Sequence, residues 1–273
     1  MKQDTFFDVP LSVAQTSEGR VDLPIFYYNV GVRHLNYWVD YDRVAPKLEG
    51  TGLVPCRFFN GKALVSLIFF NYRDVSIGPY EEVTITIIVR PVALKDPGVY
   101  LPTFLKRKGE NWGSVGAYVL EMPVTLPLAR AAGREIWGYP KFVTRIPFRL
   151  TGRYFAFEVK DPDADESIVA VKGMMSPGIC LKATDLVTFS NLNDSIIKTI
   201  VNVDAKITLC LGEVSLDVGR STHGMAANIR DIGLADSTPA FIMSSDNERT
   251  RLNPGSAIAP WKTPELPYPP EKK

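Results

Sequence analysis

The sequence predicts a mainly β protein of the α+β type, in which a largely antiparallel β-barrel carries a few short helices. Apolar and polar side chains alternate with a period of two over residues 81–94 (EEVTITIIVRPVAL), which is typical of a half-buried strand. Turn residues such as Asn60-Gly61 and Thr151-Gly152 separate several runs of this kind. Helical patterns, by contrast, are few and short.

The other predicted strands repeat this alternation along most of the chain. Helices are predicted over residues 126–138 and 223–233, and Pro46 limits the helical pattern of residues 40–50 to one or two turns. This many strands with so few helices favours one closed or nearly closed barrel, so we expect a single domain over residues 1–273. The further strand-like runs are residues 65–73, 145–152, 153–161, 167–175 and 195–219.

The segment 254–273 is rich in proline. Because proline cannot donate a ladder hydrogen bond, we expect this tail to run over the surface rather than to continue a sheet. An arm that crosses to a second protomer is the alternative. The six prolines of the segment are Pro254, Pro260, Pro264, Pro267, Pro269 and Pro270.

Composition excludes several classes of partner and site. The formal net charge is +1, so no nucleic-acid or membrane partner is expected. The chain starts without an apolar leader, and its apolar runs fall short of the ~20 residues of a spanning helix, so we expect a cytoplasmic protein. Cys56, Cys180 and Cys210 are odd in number and lack CxxC spacing, which predicts three buried thiols.

Common active-site motifs are absent from the sequence, which has no GxGxxG, P-loop, HExxH or GxSxG motif. No metal site is expected, because the only two histidines, His34 and His223, are predicted to cap or to pack. Asp161 opens a segment similar to a calcium loop, but Glu166 stands where that loop needs glycine and Lys172 where it needs glutamate. We interpret this segment as a solvated turn.

Lysine chemistry remains, and Lys141 is the candidate. It follows a predicted helix and Tyr139-Pro140, and Phe142 comes after it, so its neighbours in sequence are mainly apolar or aromatic. Pro140 restrains the backbone just before the lysine. Burial in an apolar environment lowers the pKa of lysines in general and frees the amine to attack a carbonyl carbon. A strand lysine with a packed stem and a solvated head is the open alternative.

Residues 131–141, AAGREIWGYPK, closely resemble the signature of the acetoacetate decarboxylase family. In this family the lysine after Tyr-Pro or Leu-Pro forms a Schiff base with the substrate ketone. Residues 77–82 (IGPYEE) resemble the family's Gly-x-Tyr-x-Glu segment, and residues 223–226 (HGMA) resemble a His-x-Met-Ala segment near its C-terminus. The resemblance spans roughly residues 25–258.

The resemblance implies a cone-shaped β-barrel, usually in a homo-oligomer, that holds Lys141 inside and needs no cofactor. Glu82 would move protons or hold the substrate, and Tyr80 would supply a phenolic hydrogen bond. Arg134 and Glu135 match the motif and serve either the site or an ion pair that sets the turn from helix to strand. Trp137, also in the motif, is expected to support the site.

Three positions depart from the family pattern. Phe142 stands where the decarboxylase has a second lysine, so desolvation must do more to activate the nucleophile. Leu67 falls, by spacing, where the family has a second active-site glutamate, and both changes would make the pocket more apolar. Arg33 is the nearest counterpart of the family's N-terminal active-site arginine.

Three functions are consistent with these residues. The first is a cofactor-independent Schiff-base lyase, in which Lys141 forms an iminium with a keto acid and decarboxylates a β-keto acid such as acetoacetate or a larger analogue. The alternative is a Schiff-base aldolase, dehydratase or hydratase that acts on pyruvate-like or unsaturated ketones. The third is a non-catalytic barrel that binds a small molecule. We expect replacement of Lys141 by alanine to keep the fold and abolish activity.

Overall fold

The chain forms mainly strands, as the sequence predicts. A computed structural model describes residues 4–93 and 114–260. The helices in these residues are α1 (Tyr41–Val44), α2 (Pro127–Trp137) and α3 (Gly224–Asp231), with one 3-10 turn at Ala45–Leu48. The strands are β1 (Ser12–Thr16), β2 (Gly19–Leu23), β3 (Ile25–Asp40), β4 (Leu53–Pro55), β5 (Lys62–Val75), β6 (Tyr80–Pro91), β7 (Gly116–Val124), β8 (Lys141–Val143), β9 (Phe148–Thr151), β10 (Tyr154–Lys160), β11 (Ser167–Met175), β12 (Ile179–Lys182), β13 (Leu186–Leu192), β14 (Ser195–Asp204), β15 (Lys206–Cys210), β16 (Gly212–Val218), β17 (Phe241–Leu252) and β18 (Ser256–Pro260).

Seven of these strands form a closed ring. Their order around the ring is β17, β3, β5, β6, β7, β13 and β14, and pairing of β14 with β17 closes it. Neighbouring strands of the ring are antiparallel except β7 and β13, which are parallel. The predicted fold class, a mainly β protein with a largely antiparallel barrel, is therefore confirmed.

The wall of the barrel has an outer and an interior face. On the outer face, apolar residues pack against a separate four-stranded sheet of β16, β11, β10 and β9, for example where Phe69 stacks on Phe157 with ring centroids 5.0 Å apart. A small barrel has room inside for side chains but not for a second sheet, so this face points outward. The opposite face, which carries Phe70 and Tyr72, therefore lines the interior.

The strand register arranges interior residues in rows around the wall. Residues paired between neighbouring antiparallel strands share a face, so each row can be followed across four strands. Polar and titratable side chains occur in every row. Three successive rows, each read in the order β17, β3, β5 and β6, are Met243, His34, Ile68 and Thr84; then Ser245, Val32, Phe70 and Glu82; then Glu248, Val30, Tyr72 and Tyr80.

Helix α2 and the hairpin β1–β2 pack together at the end of the barrel where β3 begins and β5 ends, in one shared apolar cluster. The helix begins at Pro127, where a backbone N–H would have no helical partner. It ends at Gly138, which has a φ of 70°. A Cβ at residue 138 would also lie 2.2 Å from the carbonyl oxygen of Asn191, so both the backbone and the available space require glycine.

The remaining local predictions concern short segments. Helix α3 follows His223, whose Nδ1 accepts a hydrogen bond from the Met225 N–H at 3.1 Å, which confirms a capping histidine. The helix α1 gives way to the 3-10 turn that contains Pro46. Residues 161–166 form the expected exposed turn. In the described residues, none of the helices is long and apolar enough to cross a membrane.

Two expectations about the surface are wrong. Strand β18 pairs with β14 at the edge of the main sheet, so part of the proline-rich tail does continue a sheet. Proline is tolerated there because Pro260 is the last residue of an edge strand. Residues 261–273 lie outside the described residues. Cys180 is exposed because it lies on the exposed edge strand β12, whereas the other two cysteines are buried.

Candidate active site

Lys141 occupies the first position of β8, with its amine inside the barrel. After α2 ends at Gly138, Pro140 restrains the backbone, and β8 then runs parallel to β7 with Lys141 opposite Met122. The Lys141 side chain is only 5% exposed, and Nζ donates a hydrogen bond to Oε2 of Glu82 at 2.7 Å. Of the two interpretations of this lysine, burial is confirmed and the solvated surface lysine is wrong.

Gly133 of α2 makes room for the stem of this lysine. A Cβ at residue 133 would lie 2.4 Å from Cδ and 2.6 Å from Cε of Lys141. These distances are far inside the roughly 3.5–4.0 Å of a carbon–carbon contact. The helix and the lysine therefore fit together only because residue 133 has no side chain.

Both carboxylate oxygens of Glu82 accept hydrogen bonds. It is 3% exposed on the interior face of β6. While Oε2 accepts from Lys141, Oε1 accepts hydrogen bonds from the hydroxyl of Tyr72 at 3.2 Å and from the hydroxyl of Thr84 at 3.3 Å. A buried carboxylate is stable only when it is paired and hydrogen-bonded in this way. Glu82 and Lys141 thus form a buried ion pair of fixed geometry.

Four tyrosines, Tyr27, Tyr72, Tyr80 and Tyr139, surround this pair. The ring of Tyr80 lies 5.6 Å from Nζ of Lys141, and its hydroxyl lies 3.3 Å from that of Tyr27. Burial raises the pKa of all four hydroxyls, that of Tyr139 to about 12. The phenols are therefore neutral at physiological pH and act as hydrogen-bonding groups.

A second interior carboxyl, Glu248, is not indicated by the sequence. It is 6% exposed and lies on β17 in the same row as Tyr72 and Tyr80. Burial raises the pKa of Glu248 to about 7, and the charge of Glu248 contributes to the raised pKa of Tyr72. The sequence hides this residue because it follows the polar run Ser-Ser-Asp-Asn, which is typical of a turn.

His34 lies in the interior row that contains Thr84. Its ring is 5.9 Å from that of Phe70, and burial lowers the pKa of the imidazole to about 4, so it is neutral at physiological pH. The predicted packing role is confirmed. Across residues 4–93 and 114–260, no three His, Cys, Asp or Glu side chains converge on a position that could hold a metal ion.

The family model that describes acetoacetate decarboxylase matches residues 8–173 of this chain, which is more than half of its length. The chain belongs to the acetoacetate decarboxylase family. In this acetoacetate decarboxylase family member, the matched range contains the lysine segment, residues 131–141, and the Gly-x-Tyr-x-Glu segment, residues 77–82. The range ends before His223. No curated protein matches the chain.

Three solved structures of other proteins share the fold. Acetoacetate decarboxylase from Legionella pneumophila is 17% identical, with a TM-score of 0.60 and 92% of each chain covered. An acetoacetate decarboxylase-like enzyme from Sphingomonas wittichii is 12% identical, with a TM-score of 0.58 over 88% of this chain and 95% of that one. The enduracididine biosynthesis enzyme MppR, complexed with pyruvate, is 12% identical, with a TM-score of 0.53 over 87% and 91%.

The structure of this acetoacetate decarboxylase family member brings together the three residues predicted to be catalytic. Trp137 lies beside them, with its ring 6.2 Å from that of Tyr139 and its Nε1 donating to the carbonyl oxygen of Asn253 at 3.0 Å. It anchors the end of α2 against the barrel. The three residues brought together are Lys141, Glu82 and Tyr80.

Arg134 and Glu135 lie on the outside of α2, away from the interior. Both are exposed. Glu135 accepts hydrogen bonds from the backbone N–H of Ser17 at 3.0 Å and from its hydroxyl at 2.5 Å, and these bonds lower the pKa of Glu135. The proposed ion pair between Arg134 and Glu135 does not form among the described residues. Glu135 instead attaches the hairpin β1–β2 to the helix.

Phe142 and Leu67 do not line the interior, so the expectation that these two residues make the pocket more apolar is wrong. Phe142 follows Lys141 along a strand and therefore points to the other face, where its ring lies 4.5 Å from that of His223. Leu67 pairs with Ile85 on the outer face. The interior holds hydroxyl and carboxyl groups, such as those of Tyr72 and Glu82, among apolar side chains such as Phe70.

Arg33 is buried, but on the outer face of β3 rather than beside Lys141. Its guanidinium donates to the carbonyl oxygens of Val32 at 2.9 Å and Ser245 at 3.2 Å, and to the carboxylate of Asp246 at 2.8 Å. It is therefore not a substrate-binding arginine of the interior. It holds β17 against β3.

The raised pKa of Glu248 predicts a specific pH dependence of stability. The native state holds this proton more tightly than the unfolded chain, so the contribution is complete below pH 4.5 and is lost as pH rises through about 7. We expect the free energy of unfolding of Glu248→Gln to rise relative to the parent by up to about 3 kcal/mol between pH 5 and pH 8. Urea unfolding of both proteins at these two pH values measures the difference between their free energies of unfolding. His34 is present in both proteins, so its titration does not contribute to this difference. An equal gap at both pH values would contradict the burial of Glu248.

Proposed function

We propose that this protein is a cofactor-independent Schiff-base enzyme that decarboxylates a β-keto acid through an iminium on Lys141. The observation that carries the proposal is the Lys141 amine, 5% exposed and 2.7 Å from the Glu82 carboxylate inside the barrel. A buried ion pair contributes little net stability compared with apolar packing, so its presence inside the barrel favours a functional role over a structural one. Membership of the acetoacetate decarboxylase family supports the same chemistry.

The first step uses the contact between the two residues. Glu82 takes a proton from the Lys141 ammonium, and the neutral amine attacks the ketone carbon of the substrate. A carbinolamine forms, its hydroxyl leaves as water with the proton returned by Glu82, and an iminium remains. The Glu82 carboxylate then lies next to the iminium cation and stabilises it. Tyr80 supplies a neutral phenol over the same nitrogen.

The second step breaks the carbon–carbon bond. The iminium accepts the electron pair of the bond between the α carbon and the carboxyl carbon, carbon dioxide leaves, and an enamine forms. Protonation of the enamine carbon regenerates an iminium, and water hydrolyses it to the product ketone and the free amine.

A second candidate function uses the same iminium to form a carbon–carbon bond instead of breaking one. An enamine formed from pyruvate can add to an aldehyde and then lose water, as an aldolase and dehydratase would require. Solved MppR structures contain pyruvate and, in another case, the condensation product of pyruvate and imidazole 4-carboxaldehyde. The non-catalytic binding barrel is less well supported, because Lys141, Glu82 and Tyr80 lie together.

Borohydride trapping tests the iminium directly. We expect incubation with acetoacetate or pyruvate, followed by borohydride reduction and peptide mass spectrometry, to label Lys141. Release of carbon dioxide from acetoacetate would support decarboxylation, whereas a red-shifted product from pyruvate and an aromatic aldehyde would favour the aldol reaction. No label at Lys141 with either keto acid would overturn the proposal.

A further inference from the structure

Glu248 lies in the wall of the barrel that faces the nucleophile. Lys141 is carried by β8, which pairs with β7. In the ring of seven strands, β17 is three strands away from β7 in one direction and its neighbour β3 is three strands away in the other. Glu248 and the strand pair β7–β8 that carries Lys141 therefore lie on opposite sides of the ring.

Tyr72 interacts with both interior carboxyl groups, with Glu82 through a hydrogen bond and with Glu248 electrostatically. The hydroxyl of Tyr72 donates to Glu82, and the ring of Tyr72 lies 4.5 Å from that of Tyr80. Glu248 is in the row of both tyrosines and is electrostatically coupled to Tyr72. One carboxyl thus contacts the lysine nitrogen, and the second belongs to the opposite side of the same ring.

Two irregularities of the strand register bracket Glu248. Between Ser245 and Glu248, β17 has one residue more than the paired segment of β3, and between Glu248 and Thr250 the extra residue is in β3. Bulges of this kind redirect a side chain and are frequent next to active sites. The local backbone of β17 therefore departs from a regular ladder at the residue that carries the interior carboxyl.

Two arginines hold the first bulge in place from the outside. Arg33 donates to the carbonyl oxygen of Ser245 and to the carboxylate of Asp246, and Arg73 donates to the backbone oxygen of Asp246. The Arg33 side chain is 2% exposed. The two terminal nitrogens of the buried Arg33 guanidinium are used in these bonds, which restrain the backbone of the bulge. The side chain of Glu248 is in turn presented from a restrained backbone.

We propose that Glu248 transfers the proton to and from the substrate carbon next to the iminium, while Glu82 handles the proton at the nitrogen. This inference rests on the proposed function. Glu82 is engaged with Nζ of Lys141 and two hydroxyls, whereas Glu248 faces the interior from across the barrel. The two carboxyls therefore serve opposite ends of the reacting system.

The proton transfer balances in both directions. After loss of carbon dioxide, the O–H bond of the Glu248 carboxyl breaks and a C–H bond forms at the enamine carbon, which leaves an iminium and the Glu248 carboxylate. A solvent proton then restores the carboxyl. With pyruvate or acetone, the carboxylate removes a methyl proton from the iminium and gives the enamine. A carboxyl with a pKa near 7 populates both forms at neutral pH, which suits a group that acts in both directions.

Deuterium exchange separates this step from iminium formation. Acetone and pyruvate are incubated with the enzyme in D2O, exchange of their methyl protons is followed by NMR, and Lys141 labelling by borohydride is measured in parallel. We expect Glu248→Gln to be labelled to within about twofold of the parent but to exchange methyl protons about 100-fold more slowly. Glu248→Asp keeps a carboxyl and is expected to recover part of the exchange.

A matched control is Glu121→Gln. Glu121 is also a buried carboxyl with a raised pKa, but it lies on the outer face, bonded to Asn228. We expect both readouts to be unchanged in this variant. Normal exchange in Glu248→Gln, or equal loss of labelling and exchange, would overturn the role of Glu248 alone. Absence of labelling in the parent protein would overturn the proposed function and this inference with it.

Discussion

Replacement of Lys141 by methionine is expected to abolish both turnover and borohydride labelling, with kcat lower by at least about 10⁴-fold. Methionine keeps an unbranched stem for the space above Gly133 but has no amine to attack a carbonyl. No other described lysine is bonded to Glu82, which accepts from Lys141 and two hydroxyls. Steady-state kinetics with acetoacetate and mass spectrometry of the trapped protein measure the loss. Turnover above about 1% of the parent would contradict the assignment.

The same replacement has a cost in stability that the sequence alone does not indicate. From sequence, loss of this lysine exchanges one polar contact and keeps the fold. In the structure it leaves the Glu82 carboxylate buried without its cation, which costs about 3–5 kcal/mol when the remaining group stays charged. The double variant Lys141→Met, Glu82→Gln removes both charges. We expect it to regain most of the stability in urea unfolding and none of the activity, which separates loss of the nucleophile from loss of the fold.

Replacement of Gly133 by alanine is expected to lower kcat about 100-fold without unfolding the protein. The added methyl group would lie 2.4 Å from Cδ of Lys141, so the lysine stem must move, and a displacement of about 1 Å at a reacting group costs a factor of this size. Alanine also stabilises helices relative to glycine by up to about 1 kcal/mol, so the helix itself is not weakened. Kinetics and the rate of borohydride labelling measure the effect, and urea unfolding checks that the fold is kept.

Gly224→Ala is the matched control for this experiment. Gly224 is the first residue of α3, and a Cβ at residue 224 meets nothing within 4 Å. We expect activity and labelling to stay at the parent level in this variant. If Gly133→Ala behaved in the same way, the fit between Gly133 and the lysine stem would not control the position of the nucleophile.

The sequence predicts the elements of the fold well because their signals are local. Pro127 and Gly138 mark the ends of α2 through their own backbone preferences, and the alternation from Val83 to Val89 places these side chains on one common face of β6. The nucleophile follows from a motif of adjacent residues. Its buried partner, Glu82 on β6, is distant from Lys141 along the chain, so no local pattern pairs the two residues. Only the resemblance to the second family segment indicates Glu82.

The remaining site residues depend on register, which spacing along a chain does not specify. The alternation of a strand could have placed Phe142 on the face opposite Lys141, but nothing local tells which face of β5 carries Leu67. Arg33 is one residue from Val32, which faces the interior, and this single step puts its guanidinium on the outer face. Glu248 escapes notice because two bulges interrupt the alternation of β17 at the point where it turns inward.

The closure of the barrel by β17 has a consequence for biosynthesis. This strand occupies Phe241–Leu252 and joins β3, near the start of the chain, to β14. A nascent polypeptide that has emerged from the ribosome only as far as β16 already contains the reactive lysine, its carboxylate partner and the glycine beneath it, yet its wall is open along two strand edges. Cellular metabolites that carry carbonyl groups meet an enclosed amine only after β17 has been synthesised and has paired with β3 and β14. The order of the strands along the chain thus delays assembly of the reactive site until the barrel around it can close.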